Sequence, residues 1–173
     1  PEDEGSKFGV GETKPSINGN YGEIKTQYKD RSWLKRNIYI DGNDILTMQY
    51  DAARANWGST WRMPTSEEIC ELIDNTTTTL TTRNGMKCMV FRSKRNNNSI
   101  YLPVNYSSSS DNDYYYGSIL SSTFGGVDSS SAYWSFAYSK FDCHLEWMYY
   151  YGYESVRPVS GDVKPSTKSE RIE

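Results

Sequence analysis

Apolar residues recur at helical spacing in two stretches of the chain and fall into strand-like clusters over most of the remainder. Ile45, Met48, Ala52 and Ala55 step along one face and predict a helix over about Asp44–Asn56. A strand at Asn37–Ile40 and a turn at Asp41-Gly42 are expected before it. The loop WGSTWRMP follows, and then Thr65 stands three residues ahead of Glu68. That spacing is a capping box, and Ile69, Leu72 and Ile73 supply the i, i+3, i+4 face of a second helix. Glu67, Glu68 and Glu71 then read as first-turn capping and dipole residues rather than acid–base catalysts. Trp57, Trp61 and Met63 are expected to form a buried hub beside this helix, since large aromatics dominate small cores.

Beyond Asn75 the helical period is lost and no further helix is expected. A threonine run, Met86–Ser93 and Ser99–Val104 read as strands, with the basic run Arg92–Arg95 and Asn96–Asn98 forming a charged hairpin or loop. Trp134 to Tyr138 alternates like a strand, Leu145 to Tyr151 is too aromatic to stay solvated, and Gly125-Gly126 is a turn. The first eighteen or so residues, and those from Ser160 onward, carry Gly, Pro and charge without hydrophobic period and read as loose ends. The expected organisation is a poorly patterned segment over 1–32, one binding domain over 33–160 and a flexible tail over 161–173. Val156 and Val159 are expected in a terminal strand of the core sheet.

A length of 173 residues fits a single domain. With 19 Lys+Arg against 22 Asp+Glu the net charge is −3, which gives no general attraction to phosphate backbones or anionic membranes, so a nucleic-acid partner is not expected. No apolar run approaches the roughly 20 residues of a membrane span, and no leader is expected from Pro1 onward. Cys70, Cys88 and Cys143 lack paired zinc-site spacing and allow at most one internal disulfide. The single histidine, His144, has no G-x-S-x-G nucleophile elbow to serve and reads as a surface or strand residue. Asp111, Asp113, Asp128 and Asp142 carry oxygen donors, but the later Gly and Glu of a calcium loop are missing, and a solvated loop is the reading taken. No cofactor, metal or catalytic residue is expected.

One compositional shift changes this picture. Of the 15 tyrosines, 11 lie between Tyr101 and Tyr153, among Ser, Asp, Asn and Gly, and the only Lys or Arg between Arg95 and Arg157 is Lys140. Tyrosine supplies rigid amphipathic contact area at low entropy cost, and Ser, Asn and Gly supply adaptable hydrogen bonds. The segment therefore reads as a recognition surface. Its candidate contact residues are Tyr114, Tyr115, Tyr116, Tyr133, Ser135, Tyr138, Phe141, Asp142, His144, Trp147, Tyr149, Tyr151 and Tyr153.

The block YDAARANWGSTWRMPTSEEICELIDN at Tyr50–Asn75 resembles the FISUMP-type major paralogous domain family, whose members carry a close W-G-x-x-W-R-M-P-T block. The resemblance continues through Thr81–Gly85, Asn98–Pro103, Gly117–Ser122 and Ser155–Val159, so it covers roughly Tyr50 to Val159. It departs from the family where a Trp-Ser-Ser block is replaced by Ile119-Leu120-Ser121-Ser122, and before Tyr50. The resemblance implies an α+β, C-type-lectin-like fold of the branch shared with formylglycine-generating enzymes: two helices on a mixed, mainly antiparallel sheet, with long loops as the binding face. The calcium-dependent sugar-binding motifs and the oxidase cysteine pair of related groups have no counterpart, so neither chemistry is carried over.

Within that fold the chain is similar to variable proteins diversified by retroelements, in which adenine-directed mutagenesis acts on Asn codons near the C-terminal end. Tyr133, Ser135, Ala137, Tyr138, Phe141, Asp142, Cys143, His144, Leu145, Tyr149, Tyr151 and Tyr153 belong to the set such codons reach. Trp134, Lys140, Glu146, Trp147, Met148 and Glu154 do not and are expected to be scaffold. The expected function is that of an extracellular or surface-displayed ligand-binding protein of the adhesin type, from a bacterium or its phage. A lipid-anchored leader outside this stretch is one route to display. The expected partner is a protein or glycan on another surface, bound by a monomer without enzymatic activity; the alternative is a structural subunit of a surface appendage.

Overall fold

The computed structural model describes residues 6–16, 24–26, 28–104, 106–107, 115–126, 132–149 and 153–163. Within them lie strand β1 (Lys7–Gly9), helix α1 (Arg31–Arg36), a 3-10 turn at Met48–Tyr50, helix α2 (Ala52–Trp57), strand β2 (Trp61–Arg62) and helix α3 (Ser66–Asn75). Strands β3 (Thr76–Arg83), β4 (Met86–Ser93), β5 (Ser99–Pro103), β6 (Tyr106–Ser107), β7 (Tyr115–Phe124), β8 (Ala132–Ser139), β9 (Cys143–Tyr149), β10 (Tyr153–Ser155) and β11 (Val159–Ser160) follow. Short helices and abundant sheet make the class α+β.

The main sheet runs β1-β10-β7-β8-β9, with β6 also on β7; among the described residues only β10 and β7 pair in parallel. β3, β4 and β5 form a separate antiparallel meander, and β11 pairs with β2. Successive side chains of a strand point to opposite faces, and β7 is buried on both. Leu120 joins a cluster with Phe8, Val10, Leu34, Ala52, Ala53 and Met63. Ile119 joins the other, with Ile69 of α3, Met89, Phe91 and Leu102 of the meander, and Phe136 and Tyr138 of β8. The main sheet is thus covered by α1 and α2 on one side and by α3 and the meander on the other. Gly117 marks the closest approach, because a methyl there would sit 2.6 Å from the Pro103 carbonyl oxygen and closer still to the Tyr138 ring.

The second helix forms as its capping box predicts: Glu68 N donates to Thr65 Oγ1 (3.3 Å) and Thr65 N donates to Glu68 Oε2 (3.0 Å). The first does not. Asp51 starts α2 by accepting from Ala53 N (2.8 Å) and Arg54 N (3.1 Å), so the helix begins at Ala52, eight residues later than the apolar spacing predicts. Upstream, Asp41 accepts from Asn43 N and Ile45 N, Asp44 turns left-handed, and Ile45 bridges Thr123 instead of winding. The strand expected at Asn37–Ile40 is likewise replaced by the end of α1 and an isolated bridge at Ile40, with Ile38 left-handed.

Three further expectations are corrected. Residues 7–16 are not a loose end, because β1 adds to the main sheet and Phe8 and Val10 are buried. Val156 packs beside the first cluster just past β10, and Val159 pairs with Arg62 in the small sheet rather than in the main one. Of the expected hub only Met63 is interior; Trp57 and Trp61 are 46% and 39% exposed, because β2 alternates and turns Arg62 inward instead.

Arg62 is 3% exposed, and each of its five N–H groups has an acceptor. Nε donates to Gly161 O (2.7 Å); Nη1 donates to Glu68 Oε2 (2.7 Å) and Met63 O (3.4 Å); Nη2 donates to Glu68 Oε1 (2.6 Å) and Asp162 O (2.9 Å). The expected tail is therefore tied in as far as Asp162. Breaking a buried pair strands the remaining charge, so Arg62→Ala is expected to cost about 3–5 kcal/mol in urea denaturation. Ending the chain at Ser160 removes two acceptors and should cost about 1–3 kcal/mol for each donor left unmade, whereas removing residues 164–173 should leave the melting temperature unchanged.

Candidate functional site

β8 and β9 are joined by the tight turn Ser139–Asp142. Ser139 N donates to Asp142 O (2.8 Å), and Ser139 Oγ accepts from Phe141 N and Asp142 N (both 3.1 Å). The turn holds Phe141 out at 71% exposure, with the Lys140 ammonium 4.8 Å from its ring centroid. From there β9 alternates: Cys143 and Leu145 lean on the second core cluster, while His144 and Glu146 face outward. His144 Nδ1 lies 2.8 Å from Asp142 Oδ2, and its Nε2 lies 3.8 Å from Glu146 Oε2. Tyr116, exposed at the start of β7, pairs with Ser139 beside the turn. An exposed aromatic, a carboxylate and an imidazole are thereby displayed from an edge strand whose other face is anchored in the core.

Two expected contact residues belong to the interior. Ser135 is fully buried, its hydroxyl 2.7 Å from Ser118 Oγ, because β8 is central and covered on both faces. Tyr138 is 1% exposed; its ring packs on Phe91 and Phe136, and its hydroxyl donates to Pro103 O (2.7 Å). Burial, with the Glu154 and Cys143 charges behind it, pushes that phenol far above its ordinary value. Tyr115 is half-buried against the second cluster, under the Lys87 ammonium 5.4 Å from its centroid. Tyr153 is half-buried in β10, and burial followed by the Glu12 charge raises its phenol.

The backbones of Tyr133, Trp147 and Tyr149 run opposite Met148, Trp134 and Ala132 in the β8–β9 ladder. Tyr114 and Tyr151 lie outside the described residues, as do Asp111, Asp113 and Asp128. Among the described residues no group of three His, Cys, Asp or Glu side chains is placed to hold a metal ion. The three cysteines are free thiols, and burial raises Cys70 and Cys143, the direction opposite to that of an activated nucleophile.

Glu154, which the sequence reading placed in the scaffold, takes a role that no local pattern signals. Its carboxylate accepts from Ser135 Oγ (3.2 Å) and is hydrogen-bonded by Ser118, so it links β10, β7 and β8 on the face that carries His144 and Glu146. Burial raises its pKa most; the two serine hydroxyls and Lys7 oppose that rise, and Glu146 adds to it.

No family model, curated protein or solved structure matches this chain. Among the described residues no helix is long and apolar enough to cross a membrane.

A carboxyl group whose folded pKa is raised contributes most below its unfolded value, here 4.5, and loses that contribution as pH rises through the folded value. Glu154→Gln removes this loss. The melting temperature of the variant relative to the native chain should therefore climb between pH 4.5 and 7 in scanning calorimetry; a constant offset would place the Glu154 carboxylate in open solvent.

Proposed function

We propose that this chain is a ligand-binding protein of the adhesin type, displayed on a surface, with a C-type-lectin-like fold akin to the FISUMP-type major paralogous domain family. It performs no chemistry. Contact is made by Phe141, Asp142, His144 and Tyr116, grouped around the β8–β9 turn. The observation that carries the reading is the alternation over Cys143–Glu146, in which His144 and Glu146 are outward while Cys143 and Leu145 hold the strand to the core. Such an arrangement separates recognition from folding, as a surface that must change partners requires. The order of the W-R-M-P-T, Gly117–Ser122 and S-V-R-P-V blocks supports the kinship, and each of them bears on the core: Arg62, Gly117 and Val156 are all packing residues.

Retroelement diversification fits the outward positions. Phe141, Asp142 and His144 are all reachable from adenine-mutated Asn codons, and all three are exposed. Ser135, Ala137 and Tyr138 are reachable too but are interior, so a diversified region has to spare them. An imperfect repeat of the DNA encoding residues 133–157, beside a reverse-transcriptase gene, is expected.

The test is a triple variant, Tyr116→Ser, Phe141→Ser and His144→Ser. Exposed positions usually change stability by no more than ~0.5 kcal/mol each, so its thermal transition should stay close to the native one. Hits from a glycan array and from a displayed surface-protein library, found with the native chain, should lose at least about tenfold in affinity for the variant, as when aromatic anchors are removed. A ligand bound equally by both chains removes the hairpin as the site. Concentration-dependent self-association in sedimentation, abolished by the same variant, would instead identify an appendage subunit.

A further inference from the structure

From Asn75 to Ser110 the chain carries Arg83, Lys87, Arg92, Lys94 and Arg95 and not one Asp or Glu, in a protein of net charge −3. These residues belong to the β3–β4–β5 meander, and the ladder sorts them by face. Lys87, exposed, lies on the other face of β4 from Arg92 with its ammonium over Tyr115, and Lys94 and Arg95 sit in the β4–β5 turn, where Lys94 Nζ donates to Asp74 O. Arg92 stands on the outer face opposite Thr77, on the same side as Thr79, Thr81 and Val90. Tyr101, paired with Val90, completes this face, and the Arg83 guanidinium lies 4.5 Å from its ring centroid. Thr77, Thr79, Thr81, Val90, Arg92 and Tyr101 line a groove of about 340 Å³. Among the described residues no carboxylate pairs with Arg92 or Arg83.

We propose that this groove binds an acidic glycan, a carboxylated or sulfated sugar chain, at a site separate from the β8–β9 hairpin. The three threonine hydroxyls repeat every second residue, roughly 7 Å apart along the strand, and offer both donors and acceptors to sugar hydroxyls. Val90 gives an apolar floor and Tyr101 a flat wall already fixed by Arg83. Arg92 supplies the planar fork that grips a carboxylate or sulfate bidentately, and the single sign of charge over the meander draws an anion in without a competing carboxylate on the same strands. Single-stranded nucleic acid is the less suited polyanion, because its binding sites stack successive bases on several aromatic rings and this groove has one.

The full chain is titrated by calorimetry with heparin, polygalacturonate, neutral dextran, oligodeoxythymidylate and phosphatidylserine vesicles. Binding to heparin or polygalacturonate and not to dextran is expected. Arg92→Gln should weaken it about tenfold, the loss of one charge-assisted bidentate contact, and Thr79→Val should weaken it further. Arg95→Gln removes the same charge from the turn and should leave affinity within about twofold, which separates a built site from general attraction. All three positions are exposed, so unchanged melting temperatures serve as the folding control. The Phe141→Ser, His144→Ser chain should bind the acidic glycan normally, so failure of the hairpin reading leaves this result standing. Equal losses from Arg92→Gln and Arg95→Gln, preferential binding to the oligonucleotide or the vesicles, or no binding to either acidic polysaccharide overturns the proposal.

Discussion

A buried guanidinium is tolerable only when all of its donors are met, and the way Arg62 meets them fixes the relation of three parts of this chain that are remote in sequence. Glu68 brings the first turn of α3, Met63 brings the loop after β2, and the carbonyls of Gly161 and Asp162 bring the final described segment. The same Glu68 carboxylate closes the capping box with Thr65, so the helix start and the ion pair are one structure. One residue further on, Met63 N donates to Asp51 Oδ2 (2.9 Å), and Asp51 in turn caps α2. Both helices that flank the W-R-M-P-T stretch are thus started by carboxylates that also bind it.

That frame meets the main sheet through β7. Its buried positions are small hydroxyl residues as often as apolar ones, and each hydroxyl has a task that a larger apolar side chain would not perform. Ser122 N and Oγ both donate to Pro64 O, and Thr123 Oγ1 accepts from Ser66 N at the start of α3. Between Leu120 and Phe124 the β7–β8 register shifts, where the β7 backbone turns to Pro64, Asp44 and Leu46 instead. A buried polar group left unmet would cost more than it contributes, so this run of serines holds the loop against the sheet only because every member is satisfied. β8 and β9 inherit a rigid base, and the exposed Phe141 turn is held by Ser139 rather than left to sample conformations.

What could be read from the sequence was what is decided locally. The capping box, the amphipathic face of α3, the Asp41-Gly42 turn and the threonine and Met86–Ser93 strands depend on neighbours within a few residues, and all of them form. The misreadings share a different cause. Ile45, Met48, Ala52 and Ala55 have helical spacing, but Asp41 and Asp51 make stronger local hydrogen bonds than a continuous helix offers, and Ile45 is claimed by Thr123, far along the chain. Phe8 and Val10 looked unpatterned because a three-residue strand is too short to have a period; its burial comes from pairing with β10. Trp61 was expected inside, but Arg62 takes the interior position, since strand alternation puts one of any two neighbours inside and composition alone does not say which.

The candidate contact residues were subject to the same limit. A tyrosine-rich segment marks where adaptable contacts are concentrated, but its amphipathic side chains serve a core and a surface equally well. Tyr138 and Phe141 stand three residues apart and both fit the compositional argument; one is buried in the second cluster and the other is 71% exposed at the turn. The distinction is made by position in the sheet. β8 has neighbours on both edges and cover on both faces over Ser135–Ser139, whereas β9 is an edge strand with one covered face. Charge follows a similar division at larger scale: basic residues alone occupy 75–110, while six carboxylates and one lysine occupy 111–154. That division underlies the proposal of two separate sites: the basic groove of the meander would draw an anion, while the hairpin, carrying Asp142 and Glu146, would not compete for it.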